Sequence, residues 1–426
     1  MTRWIDVSAC FRISLLVQWA SNASFSLLTC RPRDRIYPSL NRFSLHVFAN
    51  SREGAVVAAV DQVSWRRRGT GLIAYDEAKS AGGYTLIAPQ TDGGRVSLIA
   101  MDGTPVHTWQ MPQRPGRYAQ LLPNGNLGYC GNHPESPDLY LAWSMWHGGA
   151  FSEVTPDGKV VWEHTDLTHH HDAQWLPNGH LLYCSLEPLA SEFASRIVGG
   201  SALNDIPDGT IYGDVIKEVD RNGDLVWSWR ACDHLRPEDF PIHPFFDRYH
   251  WPMINGLWAT RGGLVLMSLR TTSGVIGVDR TTGEVRLQIG HDIVAQQHAP
   301  VELDNGNILI FDNGNFRPGV STPFSRVVEV DPATGQVVWM YADPFKPAFF
   351  SPYMGGAQRL ANGNTVITEA ATGRLFEVTP AGELVWEYII PYFGEYPEAA
   401  ARRTGSGFTN SVFRTYRYEK SQIPWL

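Results

Sequence analysis

The sequence is poor in charge and in cysteine. Asp, Glu, Lys and Arg make up 18% of its 426 residues and the net charge is −8, so no nucleic-acid partner is indicated. The 5 cysteines are widely spaced and form no Cys-x-x-Cys pair, which argues against a zinc knuckle and a full disulfide framework. The chain lacks a run of 18 apolar residues, so we predict no membrane span. It also lacks a Walker loop, a Rossmann fingerprint and a serine nucleophile elbow.

Glycine and tryptophan, by contrast, are plentiful. The chain contains 40 Gly and 15 Trp, and aromatic residues make up 12% of it. This composition is typical of turn-rich β structure with large side chains between its layers. The length allows one large domain or two ordinary ones.

A hairpin with an Asn-Gly turn organises the chain. In residues 297–312 a short alternating strand leads into Asp-Asn-Gly-Asn, and an apolar run of strand length follows. Because Asn-Gly tolerates positive φ, this pattern predicts a two-residue hairpin turn. Residues 171–184 repeat the unit. His171 and His298 both lie seven residues before the turn asparagine, so we expect them at equivalent points of the fold.

A second repeated element is an apolar strand, a turn ending in glycine, and a strand with a central tryptophan. Six copies occur 47 to 65 residues apart, centred on Trp109, Trp162, Trp227, Leu287, Trp339 and Trp386. The Asn-Gly hairpins fall between these copies, so each period holds four strands. Six such repeats predict an all-β fold, a six-bladed β-propeller with four-stranded blades.

The two ends of the chain carry further predictions. Residues 1–69 are expected to be a poorly structured N-terminal extension or a weak secretory signal, and residues 70–426 the propeller. A signal would place the protein in the periplasm or outside the cell, and otherwise it would be cytoplasmic. Residues 410–418 alternate apolar and polar side chains. We expect this tail to close the ring by pairing near residues 84–88 or 96–101, because an open ring would expose two sheet edges.

Candidate functional residues lie where strands meet the central channel. His171 and His298 are placed there by their register, and Arg270 closes an apolar strand, either tethered to a carboxylate or held out as an anion clamp. Adjacent histidines on a strand point to opposite faces, so His169, His170 and His171 alone do not predict a metal site. The further candidates for substrate contacts are His170, His250, Asn255 and Asn313.

Several stretches together resemble one known family. They are residues 83–87, 170–172 before Leu-Pro-Asn-Gly, 268–270, 297–315 and 357–365. With them the chain resembles the arylsulfotransferase family over residues 70–426. The resemblance implies a six-bladed propeller, in agreement with the repeat count. It also implies an enzyme that moves a sulfuryl group from an aryl sulfate to a phenol through a sulfated histidine, without a nucleotide donor. We predict no cofactor and no metal. By position, His298 resembles the nucleophile, and His171 and Arg270 the groups that hold the sulfuryl oxygens.

One position departs from the family pattern. The family carries His-x-Asn at the channel of its central blade, where this chain has Met253-Ile254-Asn255. Two main hypotheses therefore stand: a sulfotransferase or a hydrolytic relative of it, or a propeller that binds a ligand or partner without catalysis and has lost one channel histidine. A quinone- or metal-dependent propeller is a weaker third hypothesis, because no evident set of channel carboxylates accompanies the histidines. Convergence of His171, Arg270 and His298 on one open channel would favour the enzyme.

Overall fold

The computed structural model describes residues 69–140, 143–201, 209–395 and 408–426. The N-terminal extension predicted for residues 1–69 therefore lies, except for Gly69, outside the described residues. Within them the chain forms 30 strands and a few short helices. None of these helices has the length and apolar character needed to cross a membrane.

The strands follow one another in hairpins along the chain. The first half contains β1 (Gly71–Tyr75), β2 (Tyr84–Ile87), β3 (Arg95–Ile99), β4 (Pro105–Gln110), β5 (Pro115–Leu121), β6 (Leu127–Asn132), β7 (Gly149–Val154), β8 (Val160–Thr165), β9 (His169–Trp175), β10 (Leu181–Pro188), β11 (Gly199–Ser201), β12 (Tyr212–Val219), β13 (Leu225–Arg230), β14 (Ile242–Asp247) and β15 (His250–Trp251). The second half contains β16 (Ile254–Ala259), β17 (Leu264–Leu269), β18 (Gly274–Asp279), β19 (Val285–Ile289), β20 (His298–Glu302), β21 (Ile308–Asp312), β22 (Arg326–Asp331), β23 (Gln336–Tyr341), β24 (Gly356–Arg359), β25 (Thr365–Glu369), β26 (Arg374–Val378), β27 (Leu384–Ile389), β28 (Gly394–Glu395), β29 (Phe408–Thr409) and β30 (Tyr416–Tyr418). The helices are α1 (Trp143–Trp146), α2 (Ser191–Arg196) and α3 (Ala231–His234), with 3₁₀ turns at Lys346–Ala348, Ala370–Thr372 and Lys420–Gln422.

Six antiparallel sheets of four strands form the blades of a β-propeller, as the repeat count predicted. Blade 1 is β30-β2-β3-β4, blade 2 is β5 to β8, and blade 3 is β9-β10-β12-β13. Blades 4, 5 and 6 are β16 to β19, β20 to β23 and β24 to β27. Strand β1 adds a fifth strand to blade 6, and β15 pairs with β12. The first strands of neighbouring blades, such as β9, β16 and β20, contact one another around the axis.

The ring is closed by the C-terminal strand. In blade 1, β30 pairs antiparallel with β2, with Tyr418 opposite Tyr84 and Tyr416 opposite Leu86. The predicted pairing of the tail with the strand near residues 84–88 is therefore confirmed. Closure of this kind gives blade 1 its fourth strand, and radial repetition of the blades leaves only short, protected sheet edges.

The Asn-Gly hairpins are longer by one residue than the sequence predicted. The Gly306 N–H donates to the Leu303 carbonyl (2.9 Å), and the Leu303 N–H donates to the Asn307 carbonyl (2.8 Å). Within this turn, only Gly306 has positive φ (85°). This is a three-residue loop that ends in a left-handed glycine. The Asn305 side chain also accepts the Asn307 N–H (3.0 Å), which fixes the turn without positive φ at asparagine.

The repeated tryptophans join five of the six blades to the next, and blade 4 has Leu287 at this position. In five blades the indole N–H donates to a backbone carbonyl in or beside the glycine-ended turn of the following blade. The pairs, at 2.8–3.0 Å, are Trp109 with Thr155, Trp162 with Arg221, Trp227 with Arg280, Trp339 with Pro380 and Trp386 with Met101. The repeat therefore encodes the contact between blades as well as the strand within each one.

Candidate functional site

A cavity of about 470 Å³ lies where the inner strands begin, at the axis of the propeller. His171 reaches it from blade 3, Met253 and Arg270 from blade 4, and His298 from blade 5. The three residues expected to converge, His171, Arg270 and His298, therefore line one cavity.

His298 is held by a different partner at each ring nitrogen. Its Nδ1 lies 2.7 Å from Asn313 Oδ1, and its Nε2 accepts the backbone N–H of Met354 (3.1 Å). The Asn313 amide nitrogen donates to the carbonyls of Ser351 (2.7 Å) and Met354 (2.8 Å), so its oxygen faces the imidazole. An amide oxygen only accepts, so Nδ1 carries the proton and the lone pair is on Nε2.

The environment of His298 keeps its imidazole neutral. The side chain is 2% exposed. Burial lowers the pKa of His298 well below 6.5, and the positive charges of Arg270, Arg414 and Arg117 act in the same direction. The hydrogen bond to Asn313 opposes them but does not reverse the shift. A neutral imidazole with a lone pair is the nucleophilic form.

His171 departs from the strand geometry that the sequence predicted. It adopts φ of 54°, and its Nδ1 lies 2.9 Å from Nδ1 of His170. In a regular strand the two rings would face opposite sides. The left-handed conformation at His171 brings them into contact instead. The His171 ring also stacks on Trp146, with centroids 5.7 Å apart.

A buried carboxylate behind His171 sets its tautomer. Asp214 Oδ1 lies 3.1 Å from Nε2 of His170 and 3.0 Å from Nε2 of His250. Burial by itself would raise the pKa of Asp214, but His250 and His170 hold it well below its usual range. The ionised carboxylate only accepts, which places a proton on Nε2 of His170 and leaves its Nδ1 to accept from His171. The Nε2 of His171 is then the unprotonated nitrogen.

The same side chains have the donor types of a metal site. In the described part of the chain, the ligand atoms of His170, Asp214 and His250 form a group within 4.8 Å of one another. The set spans blade 3 and β15 and does not come from the histidine triplet alone. Hydrogen bonds join Asp214 Oδ1 (3.0 Å) and Tyr140 OH (3.1 Å) to the two nitrogens of His250. Nε2 of His170 lies 3.1 Å from Asp214 Oδ1 but makes no hydrogen bond of good geometry.

Arg270 presents a cation to the cavity. Its Nη1 lies 3.8 Å from the Met253 sulfur, and its guanidinium lies 4.9 Å from the ring centre of Phe246. Among the described residues no carboxylate pairs with it, and its Nε–H has no hydrogen-bond partner. Burial lowers the pKa of Arg270 to about 10, with Tyr249 opposing and Arg117 adding to the shift, so the group stays charged at neutral pH. Of its two predicted roles, the anion clamp fits these contacts.

A second arginine, Arg117, lines the cavity and was missed from the sequence. It lies on β5, is 5% exposed and has φ of 117°. The signal was present: Arg117 lies seven residues before Asn124, the turn asparagine of blade 2, in the register that singled out His171 and His298. It was missed because that register was applied to histidines only.

The remaining predicted residues are buried and do not line the cavity: His170, His250, Asn255 and Asn313. The first two support His171 through Asp214, and Asn313 supports His298. Asn255 donates through Nδ2 to the Gln297 carbonyl (2.9 Å), beside His298. All four therefore pack behind the residues that line the cavity.

Comparison with known proteins identifies the family of the chain. The family model described as Arylsulfotransferase (ASST) matches residues 97–293 and 288–388. Among curated proteins nothing matches. Similar solved structures include a protein of unknown function from Bacteroides caccae, with 12% identity, 79% of this chain and 98% of that chain covered, and a TM-score of 0.48. They also include an inactive variant of virginiamycin B lyase from Staphylococcus aureus with quinupristin, with 9% identity, 76% and 89% covered, and a TM-score of 0.42. By the family match, which spans more than half of its length, the chain belongs to the arylsulfotransferase (ASST) family.

Proposed function

We propose that this protein transfers a sulfuryl group from an aryl sulfate to a phenol through a sulfated His298. The observation that supports this most directly is the neutral His298, which lines the same cavity as Arg270 and whose Nε2 is unprotonated. The pair combines a nucleophile with a cation for the anionic sulfuryl group.

The first half-reaction forms the sulfated enzyme. Nε2 of His298 attacks sulfur, an N–S bond forms, and the S–O bond to the aryl group breaks. The phenolate leaves with the electron pair and takes a proton from solvent. The N–H of Met354 must release Nε2 before attack, because it donates to that lone pair (3.1 Å). Asn313 keeps the proton on Nδ1 and stabilises the positive charge that develops on the ring.

The second half-reaction regenerates unmodified His298. The oxygen of the acceptor phenol attacks sulfur, the N–S bond breaks, and the phenolic proton passes to a base. His171 fits this role because it lines the cavity and its contact with His170 leaves its Nε2 unprotonated. The proton then leaves to solvent, so each cycle exchanges one sulfuryl group and one proton.

The walls of the cavity suit an aromatic substrate. Tyr249, Phe245, Phe246 and Phe316 line it together with the polar groups. Phe245 and Phe316 are 71% and 44% exposed, with ring centroids 4.8 Å apart, so they offer an apolar surface to a substrate. A volume of about 470 Å³ is within the range of small-molecule sites.

A propeller that binds without catalysis is the second candidate, and Met253 is the observation that favours it. Met253 lines the cavity where the family pattern has a histidine, and a thioether donates no hydrogen bond. In this alternative the two arginines hold an anionic ligand that is not turned over.

The test is turnover of 4-nitrophenyl sulfate with phenol as acceptor, using wild type, His298→Asn and His291→Asn. His291 is an exposed histidine and serves as the matched control. We expect nitrophenol release by wild type and His291→Asn but not by His298→Asn, and a mass gain of one sulfuryl group on the His298 peptide. Equal turnover by His298→Asn would eliminate the covalent mechanism. No turnover by wild type with several aryl sulfates would favour the binding propeller.

A further inference from the structure

We propose that Arg117 is a second catalytic cation, which binds the sulfuryl oxygens of the substrate together with Arg270. This assignment rests on the proposed function for the reaction. The anion site that it defines, for a sulfate ester or inorganic sulfate, can be tested without turnover. It also supplies the hydrogen-bond donor that Met253 cannot provide.

The backbone of β5 is distorted at Arg117. The pairing of β5 with β6 shifts register between Pro115 and Ala119, and Arg117 within this bulge has φ of 117°. A residue with a side chain rarely adopts this conformation, which persists only where the surrounding structure enforces it. Bulges next to active sites re-aim side chains. Here the distortion coincides with an arginine that enters the cavity from blade 2.

The contacts of Arg117 place it beside the nucleophile. Its Nη1 donates to the Met354 sulfur (2.9 Å), and the Met354 N–H donates to Nε2 of His298 (3.1 Å). It also donates to Gln90 Oε1 (3.1 Å) and to the Met145 carbonyl. These acceptors are neutral. A thioether is a weak acceptor, so a sulfuryl oxygen competes well for the N–H that now meets Met354.

The positive charge of Arg117 affects the pKa of each group that is expected to act on the substrate. It contributes to lowering the pKa of His171, His298 and Arg270. Two guanidinium groups in one buried cavity repel each other, and an anion between them removes that cost. The planar guanidinium of arginine can also donate parallel hydrogen bonds to two oxygens bound to the same sulfur.

Three variants separate binding from support of the fold. Arg117→Met removes the cation, Arg117→Lys keeps a charge but removes the fork, and Gln90→Leu removes only an anchoring contact. We expect kcat/KM to fall by roughly 10²- to 10³-fold in Arg117→Met, as on loss of one oxyanion donor. Arg117→Lys should fall between this variant and wild type, and Gln90→Leu, which keeps both cations, should lose much less activity than Arg117→Met. Adding Met253→His to Arg117→Met should recover part of the loss.

Calorimetric titration with inorganic sulfate makes the assignment independent of catalysis. Wild type should bind sulfate, and both Arg117 variants should bind it more weakly. If wild type turns over no aryl sulfate but its sulfate affinity falls on loss of Arg117, the anion site stands and the sulfotransferase proposal fails. If Arg117→Met does not fold, the lysine variant decides. Unchanged kcat/KM and sulfate affinity in the folded Arg117 variants would overturn the assignment, as would an equal loss in Gln90→Leu.

Discussion

The two nitrogens of His298 have partners that differ in kind, and in the proposed mechanism this difference makes Nε2 the reactive nitrogen. An amide oxygen holds the proton at Nδ1, while the backbone N–H of Met354 donates to Nε2 and, under the proposal, gives way to the substrate. Three arginines add to the effect of burial. A histidine in this setting needs no base to attack, because it is already deprotonated at neutral pH.

The pH dependence of the first half-reaction follows from the lowered pKa of His298. Protonation of Nε2 abolishes attack, so kcat/KM for the donor should fall only as the pH drops below 6.5, and the limb due to His298 should be flat above it. The measurement is the pH profile of nitrophenol release. Asn313→Asp is the contrasting variant. A carboxylate beside Nδ1 favours the imidazolium, so its acid limb should move to higher pH. A wild-type limb at or above pH 6.5 would contradict the assignment.

At the scale of the strand, the inner edge of each blade combines a regular repeat with a local irregularity. The repeat could be recognised in the sequence. Arg117, His171 and His298 each lie seven residues before a turn asparagine, and all three line one cavity. The irregular backbone could not be predicted from the sequence, because positive φ at Arg117, His171 and Met253 depends on how neighbouring blades pack. In blade 4 that register falls on Asn255, yet Met253 lines the cavity. The two-residue alternation of a strand predicts which face of the sheet a side chain is on only where the strand has no bulge.

The strand network behind His171 leads to a test of its role as a base. Asp214→Asn replaces an acceptor with a group that can also donate, so the tautomers of His170 and His171 are no longer fixed. We expect the first burst of nitrophenol to keep its rate. Turnover limited by the acceptor should slow, by up to the roughly 10²- to 10⁴-fold typical of a proton-transfer group.

Stopped-flow measurement of the burst and the steady state separates these phases. Equal slowing of both phases in Asp214→Asn would show a general structural effect. A metal ion bound in stoichiometric amount by wild type and lost in Asp214→Asn would replace the hydrogen-bond network with a metal centre at His170, Asp214 and His250.

At the scale of the whole molecule, the six blades are held by the same contacts repeated around the ring. Besides the tryptophan bonds, a glutamate in the third strand of four blades pairs with an arginine of the next blade. These pairs are Glu153 with Arg221, Glu218 with Arg280, Glu329 with Arg359 and Glu377 with Arg417. The blade number and the closing strand followed from the sequence because they depend on repeats. These ion pairs could not be predicted from the sequence, because the number of residues between their partners varies from blade to blade.

The pair between Glu377 and Arg417 differs from the other three because it joins the last blade to the closing strand. Arg417 Nη1 lies 3.2 Å from Glu377 Oε2, and the two side chains are 2% and 0% exposed. Arg417 also donates through Nε to Thr85 Oγ1 (2.7 Å) on β2. One arginine therefore connects β30 with blade 6 and with the strand beside it.

Loss of this arginine should weaken the ring more than loss of any exposed pair. Arg417→Met leaves the buried Glu377 charge without its cation, which typically destabilises a protein by about 3–5 kcal/mol. We expect a lower urea midpoint, and a smaller loss when Glu377→Gln is added, because the double variant buries no lone charge. Arg286→Met is the control, since its pair with Glu284 is exposed and contributes little. Equal midpoints for Arg417→Met and Arg286→Met would show that strand pairing alone closes the propeller.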